Sequence, residues 1–408
     1  MHSRLRDFDW ALFIAAVLLS LIGLAAVYSA GQTSDTLVGG VLARRHLMRI
    51  ALGMVAMFAA VLVPNRVYES LAYLLYPVAL GGLVLVYLLE GDNPRGDRWI
   101  QLGPVNLEPS ELAKLAVILA LARYLTGRSG RPSSLRRLPA PFAIVLLPMG
   151  LVMLQPDLGT SLVLAGVLLP MLYWAGLDPL YGILLVTPIV SLVSASALTT
   201  WSLFLGCVVA IIYFGRRRLQ TGPAILVLLL NLTIGVGAPF VWGRLQDYQK
   251  ERILTFLDPS RDPLGAGYQI LQSKVALGSG GLFGKGYLAG TQKALSFLPA
   301  QHTDFIFSVV GEEFGFLGSV VVLGLFFLVI WRMLALAGQS RNRFGGLIAV
   351  GIASSLTIHV VVNVGMTMGL VPVTGLPLPL LSFGGSSLVT TLAAVGIVLN
   401  VGLHRKEY

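Results

Sequence analysis

Apolar stretches of about twenty residues, separated by short polar segments, dominate the 408-residue chain. A bilayer core about 30 Å thick takes roughly 20 apolar residues as a helix. On that measure the pattern predicts twelve spans: 11–30, 47–64, 69–89, 110–126, 140–155, 158–175, 180–197, 199–215, 222–242, 305–331, 345–368 and 386–403. Pro156, Pro170, Pro179 and Pro188 blur the boundaries between 155 and 200. The first span is too long for a cleaved signal and follows Arg4 and Arg6, so it reads as a signal anchor.

Composition narrows the class. Only 12% of residues are charged and 56% are hydrophobic, against roughly 25% charged in soluble domains. That excludes a soluble globule and a disordered chain. The expected fold is an all-α polytopic membrane bundle, read as one integral domain over 1–408. The formal net charge of +10 suggests nucleic acid at first sight, but sorting the charges by side changes that reading. With the N-terminus cytoplasmic, that side takes sixteen of the 29 basic residues and five of the 19 acids. The positive-inside rule then puts both termini of this membrane protein in the cytoplasm, with no nucleic-acid partner. Cys207 is the one cysteine, so an internal disulfide and a thiolate metal cluster are excluded.

Two segments carry unusual chemistry, and both are expected outside. Residues 243–303 form a long loop of ordinary complexity, and 90–109 a second one. They place Arg98, Trp99, Arg252, Lys274 and Lys285 near acids such as Asp304. This is either a solvated surface or a site for an amphiphile with an anionic head, since Arg offers a bidentate fork and Lys a point charge. The glycine run 278–286 fails the Walker pattern, having Ser279 and Gly286 where Gly and a hydroxyl are required. Turns hugging the membrane are expected there. A short interfacial helix over 267–278 is expected before them, with Ile270, Leu271 and Val275 towards lipid.

Ionisable residues inside spans are functional candidates by default. Glu111 and Lys114, three apart, share a helix face and can pair. Asp157 opens the sixth span as an N-terminal cap. His359, near Asn363, suits hydrogen-bonded packing, and no second ligand at metal spacing accompanies it. In His302-Thr303-Asp304, Thr303 or Asp304 could cap the next helix, or Asp304 could serve as a general base. Glu312 could tune Asp304, or pair with Lys114 or Lys274.

Several stretches resemble the SEDS family (shape, elongation, division and sporulation proteins). They are GAGYQILQSKVALGSGGLFGKG (265–286), FLPAQHTDFIFSVVGEEFGFLG (297–318), RWIQLG with EPSELAK (98–114), QPDLGTS (155–161) and LPLLSFGGSSL (378–388). The resemblance implies a peptidoglycan glycosyltransferase that polymerises lipid II at the outer face of the membrane, closer to the elongation member than to the division member. It implies Asp304 as the essential acid and Arg45, Arg98 and Arg252 at the lipid diphosphate. Trp99, Glu111, Lys114 and Lys274 join them at the substrate, and Asp157, His302, Thr303 and Glu312 support the site. It further implies a class B penicillin-binding protein and other elongation-machinery membrane proteins as partners. No cofactor is required by the sequence; a divalent cation could assist the leaving group, although the sequence lacks a dedicated cluster to hold it. Family members typically have ten spans, so 180–220 is an apparent extra pair. A lipid flippase or transporter is the alternative class, and a non-catalytic scaffold the third.

Overall fold

In a computed structural model the described residues are 7–32, 38–89, 99–102, 105–127, 138–217, 219–244, 250, 254–256, 258, 266–294 and 301–405. The long helices follow the apolar pattern: α1 (Trp10–Ala30), α2 (Gly39–Leu62), α3 (Asn65–Leu89), α4 (Pro109–Thr126), α5 (Pro139–Leu154), α6 (Leu158–Trp174), α7 (Pro179–Ser194), α8 (Leu198–Gly215), α9 (Thr221–Arg244), α12 (Ile306–Gln339), α13 (Arg343–Thr367) and α14 (Ser386–Leu403). Each of the twelve expected spans coincides with one of them. Eight are long and apolar enough to cross a membrane, and the chain is a multi-pass membrane protein. Three more, α5 to α7, are apolar but only 16 or 17 residues long; at about 1.5 Å per residue they reach about 25 Å. A small antiparallel hairpin precedes α4, pairing Ile100 with Leu107 and Leu102 with Val105.

The chain divides into two compact units. One comprises Met1–Arg128, Ala140–Met171 and Thr255–Tyr408; the other comprises Ser129–Pro139 and Leu172–Leu254. The second contains all of 180–220. It packs α7, α8 and α9 around a polar node: Asn231 Nδ2 donates to Thr187 Oγ1 at 2.9 Å, and Trp201 Nε1 donates to Ser191 Oγ at 3.0 Å.

In the first unit, α2 and α14 run side by side. A β-carbon at Gly396 would fall 2.3 Å from the Met57 carbonyl oxygen, so a small residue is what allows this approach. At the end of the pair Asn400 Nδ2 donates to the carbonyls of Val61 (2.6 Å) and Val63 (2.9 Å). At the start of α1, Asp9 caps Leu12 N and receives two N–H groups of Arg332.

The glycine run 278–286 finds its reason in α12, which is broken at Gly315 (φ 66°, ψ −160°). A broken helix leaves backbone groups that a membrane interior cannot hydrate, and the glycine loop satisfies them. Lys285 N and Gly286 N donate to the carbonyls of Glu312 and Glu313, while Phe316 N and Leu317 N donate to the carbonyls of Gly281 and Leu282. Side chains would block this docking: a β-carbon at Gly284 would lie 2.1 Å from Glu313 O.

The helix expected at 267–278 is present as α10 (Ala266–Ser279), with Val275 outward as expected but Ile270 turned inward. Ile270 is 3% exposed and faces protein, as do Ser273 and Ala276, while Val275 is exposed. Ser273 Oγ fixes that face by donating to the Thr367 carbonyl at 2.6 Å and meeting Ser308 Oγ at 2.6 Å. Polar anchoring to α12 and α13 decides the face, which apolar spacing alone could not.

Candidate active site

The His302-Thr303-Asp304 turn is held against the 376–383 segment and helix α13 by three hydrogen bonds. Phe383 N donates to His302 O at 2.9 Å, Ser382 Oγ to Thr303 O at 2.6 Å, and Asn363 Nδ2 to Asp304 O at 2.9 Å. The same Asn363 amide donates to Leu376 O at 2.7 Å. These bonds fix the backbone on both sides of the Asp304 carboxylate, which lies beside Gly375. Helix α12 takes Phe305 as its flanking residue, so neither Thr303 nor Asp304 is its N-cap. Burial holds the His302 imidazole below its ordinary pKa, favouring the neutral ring.

One turn before Asn363 on the same helix, His359 Nε2 lies 3.0 Å from Lys114 Nζ, and Lys114 Nζ donates to Glu111 Oε1 at 2.8 Å. The i, i+3 pair read from sequence therefore forms, with Lys114 and Glu111 each 5% exposed. His359 is hydrogen-bonded as expected, though to a charged partner as well as to the Ser355 carbonyl. A narrow cavity of about 40 Å³ opens between Glu111, Lys114, Ser355, His359, Thr390 and Thr391.

The remaining candidates divide. Asp157 is 5% exposed and caps α6 through Thr160 N at 3.0 Å. Trp99 is exposed just before the hairpin, and Arg45 is exposed on α2. Lys274 crosses Gly369 at the end of α13. Glu312 pairs with neither Lys114 nor Lys274. Its Oε1 accepts from Lys285 Nζ (2.8 Å), Thr291 N (2.7 Å) and Gln292 N (3.0 Å), stapling the glycine loop to the short helix α11 (Thr291–Ala294). The loop's docking on α12, which no local pattern announces, makes Lys285 its partner. Arg98 and Arg252 lie outside the described residues.

Sequence reasoning passed over Glu108, the residue flanking α4, which accepts from Ser110 Oγ at 2.9 Å. Burial first, then the charge of Glu111, pushes its carboxyl up to about 7. The signal was available: it is an acid three residues before Glu111 at a helix start.

The family described as "Cell cycle protein", FtsW/RodA/SpoVE, matches residues 9–202 and 179–407. The two segments overlap where α7 and the start of α8 lie, within the apparent extra pair. Among curated relatives, peptidoglycan glycosyltransferase MrdB of Escherichia coli K12 is 39% identical over 89% of this chain and 86% of its own. Peptidoglycan glycosyltransferase RodA of Treponema pallidum is 36% identical over 98% of both chains. Among solved structures, a chain described under "Structural coordination of polymerization and crosslinking by a peptidoglycan synthase complex" superposes with TM-score 0.74 at 34% identity, covering 98% of this chain and 99% of that one. Rod shape determining protein RodA of Thermus thermophilus does so with TM-score 0.64 at 29% identity, covering 98% of both.

Proposed function

Because this chain belongs to the FtsW/RodA/SpoVE family and is a peptidoglycan glycosyltransferase, we propose that it polymerises lipid II during cell elongation, with Asp304 as general base. The observation that carries the reading is the clamp on Asp304: three hydrogen bonds from two other segments hold the backbone around one carboxylate. Such fixing suits a group that must meet a reacting hydroxyl at hydrogen-bond distance.

Lipid II holds its sugar through an α-linked diphosphate, and the glycan is β-1,4 linked, so one displacement with inversion suffices. Asp304 takes the proton of the acceptor 4-hydroxyl as its oxygen attacks the donor anomeric carbon. The bond to the diphosphate breaks, and the leaving group departs with the bonding pair. Arg45, Arg98 and Arg252 supply positive charge to it. Lys114, whose charge Glu111 already balances, anchors the neighbouring cluster. Trp99 and Lys274 complete the substrate contacts. A divalent cation, if one takes part, would meet the diphosphate.

An even number of spans and the positive-inside count support a site on the outer face of the cytoplasmic membrane. A class B penicillin-binding protein is the proposed partner, by likeness to the complex in which polymerisation and crosslinking are coordinated. The test is polymerisation of labelled lipid II by the purified protein, with and without that partner. Asp304→Ala should fold and make no glycan. Full polymerisation by that variant would remove Asp304 from the chemistry; translocation of lipid II across liposomes without polymerisation would favour a transporter.

A further inference from the structure

Arg49 sits within helix α2, one turn after Arg45 and inside an expected span. It lies near the outer end of that span, where an arginine can reach the interface, so its surroundings rather than its depth single it out. Its guanidinium lies over the Phe383 ring, 4.1 Å from the centroid. Among the described residues no carboxylate pairs with it, and its Nη1 is sealed from solvent with no hydrogen-bond partner. The cation–π contact engages the face of the guanidinium and leaves its Nη1 unmet.

A second unmet group stands beside it. His46 is completely buried, its ring 6.0 Å from that of Phe383, and neither ring nitrogen has a hydrogen-bond partner among the described residues. Buried polar groups are ordinarily satisfied, so two adjacent ones without partners stand out as groups able to take an acceptor. The same Phe383 is tied to the proposed catalytic turn: its N–H donates to His302 O, and its ring meets that of His302 edge-on at 5.7 Å. The unmet donors therefore share one aromatic platform with the segment that carries Asp304.

We propose that Arg49, backed by Phe383 and His46, is a seat for the diphosphate of the polyprenyl-linked donor. This rests on the lipid-linked donor named above. A guanidinium edge matches two phosphate oxygens in a bidentate way, as an ammonium cannot. Arg45, four residues earlier and exposed, adds a second positive charge on the same side of the helix. As the anomeric C–O bond breaks, the bonding pair passes to the diphosphate oxygen, and the charge that develops there falls on a group already fixed by its ring contact.

Binding decides the matter separately from turnover. The full-length protein in nanodiscs is titrated with undecaprenyl diphosphate, with undecaprenol, and with inorganic diphosphate. Wild type should prefer undecaprenyl diphosphate to both of the others. Arg49→Gln should weaken undecaprenyl diphosphate at least about tenfold while leaving undecaprenol unchanged, and His46→Leu should weaken it less. Arg49→Gln with wild-type affinity for undecaprenyl diphosphate would overturn the seat, as would wild type binding inorganic diphosphate equally well. Should Arg49→Gln fail to fold, Arg49→Lys decides: a several-fold loss supports the fork, and undiminished affinity refutes it. A wild type that binds the diphosphate lipid in this way but makes no glycan would sink the polymerase reading and leave the seat standing.

Discussion

Asn363 and Asp304 are joined by a side-chain to backbone hydrogen bond of 2.9 Å across 59 residues of chain. The other N–H of the same amide holds Leu376 O at 2.7 Å, so one side chain aligns the segments on either side of the Asp304 carboxylate. Replacing Asn363 by Leu leaves two carbonyls without a donor, at about 1–3 kcal/mol each where they are buried. Activity should fall more than tenfold through kcat, with a lower melting temperature and little change in lipid II KM. A loss expressed wholly in KM would contradict the positioning role.

Lys114 and Glu111 form a buried ion pair beside His359. Removing one partner of such a pair strands a charge, and costs about 3–5 kcal/mol. Lys114→Met and Glu111→Gln should each destabilise the protein in detergent, whereas the double variant should melt nearer to wild type than either single one. Additive losses in the thermal melts would show that the two charges do not depend on each other.

Gly284 and Gly278 separate backbone docking from mere loop flexibility. Gly284 has φ +82° and faces the Glu313 backbone, while a β-carbon at Gly278 would meet nothing within 4 Å. Gly284→Ala should abolish folded, monodisperse protein. Gly278→Ala, within α10, should be neutral or stabilising by up to about 1 kcal/mol. Size-exclusion profiles and melting temperatures of the two variants compare them directly.

Glu108 gives stability a pH dependence of definite sign. Its carboxyl is pushed up to about 7 from an ordinary 4.5, so between those values the folded state keeps a proton that the unfolded state has released. Stability from this group is therefore fully present below about 4.5 and is lost as pH rises through 7. Glu108→Gln should flatten that part of the melting-temperature profile and raise stability above pH 7. An unchanged slope between pH 4.5 and 7 would show that another group sets it.

Local properties of the chain determined the spans, the Glu111–Lys114 pair and the Asp157 cap. An apolar run long enough for a bilayer, an i, i+3 spacing and an acid before a helix start each act within a few residues. HTDF and its companion stretches likewise carried the family likeness in the sequence. Partners across the chain were decided only by packing. His359 meets Lys114 across 245 residues, and Glu312 meets Lys285 across 27 through a loop docked on the break at Gly315. Arg49 over Phe383 is of the same kind. A side chain's residue type says which bond it can make, and only the tertiary arrangement of helices says which group comes within reach of it. For a charge or amide inside a membrane that distinction is sharp, because no water is there to stand in for the missing partner.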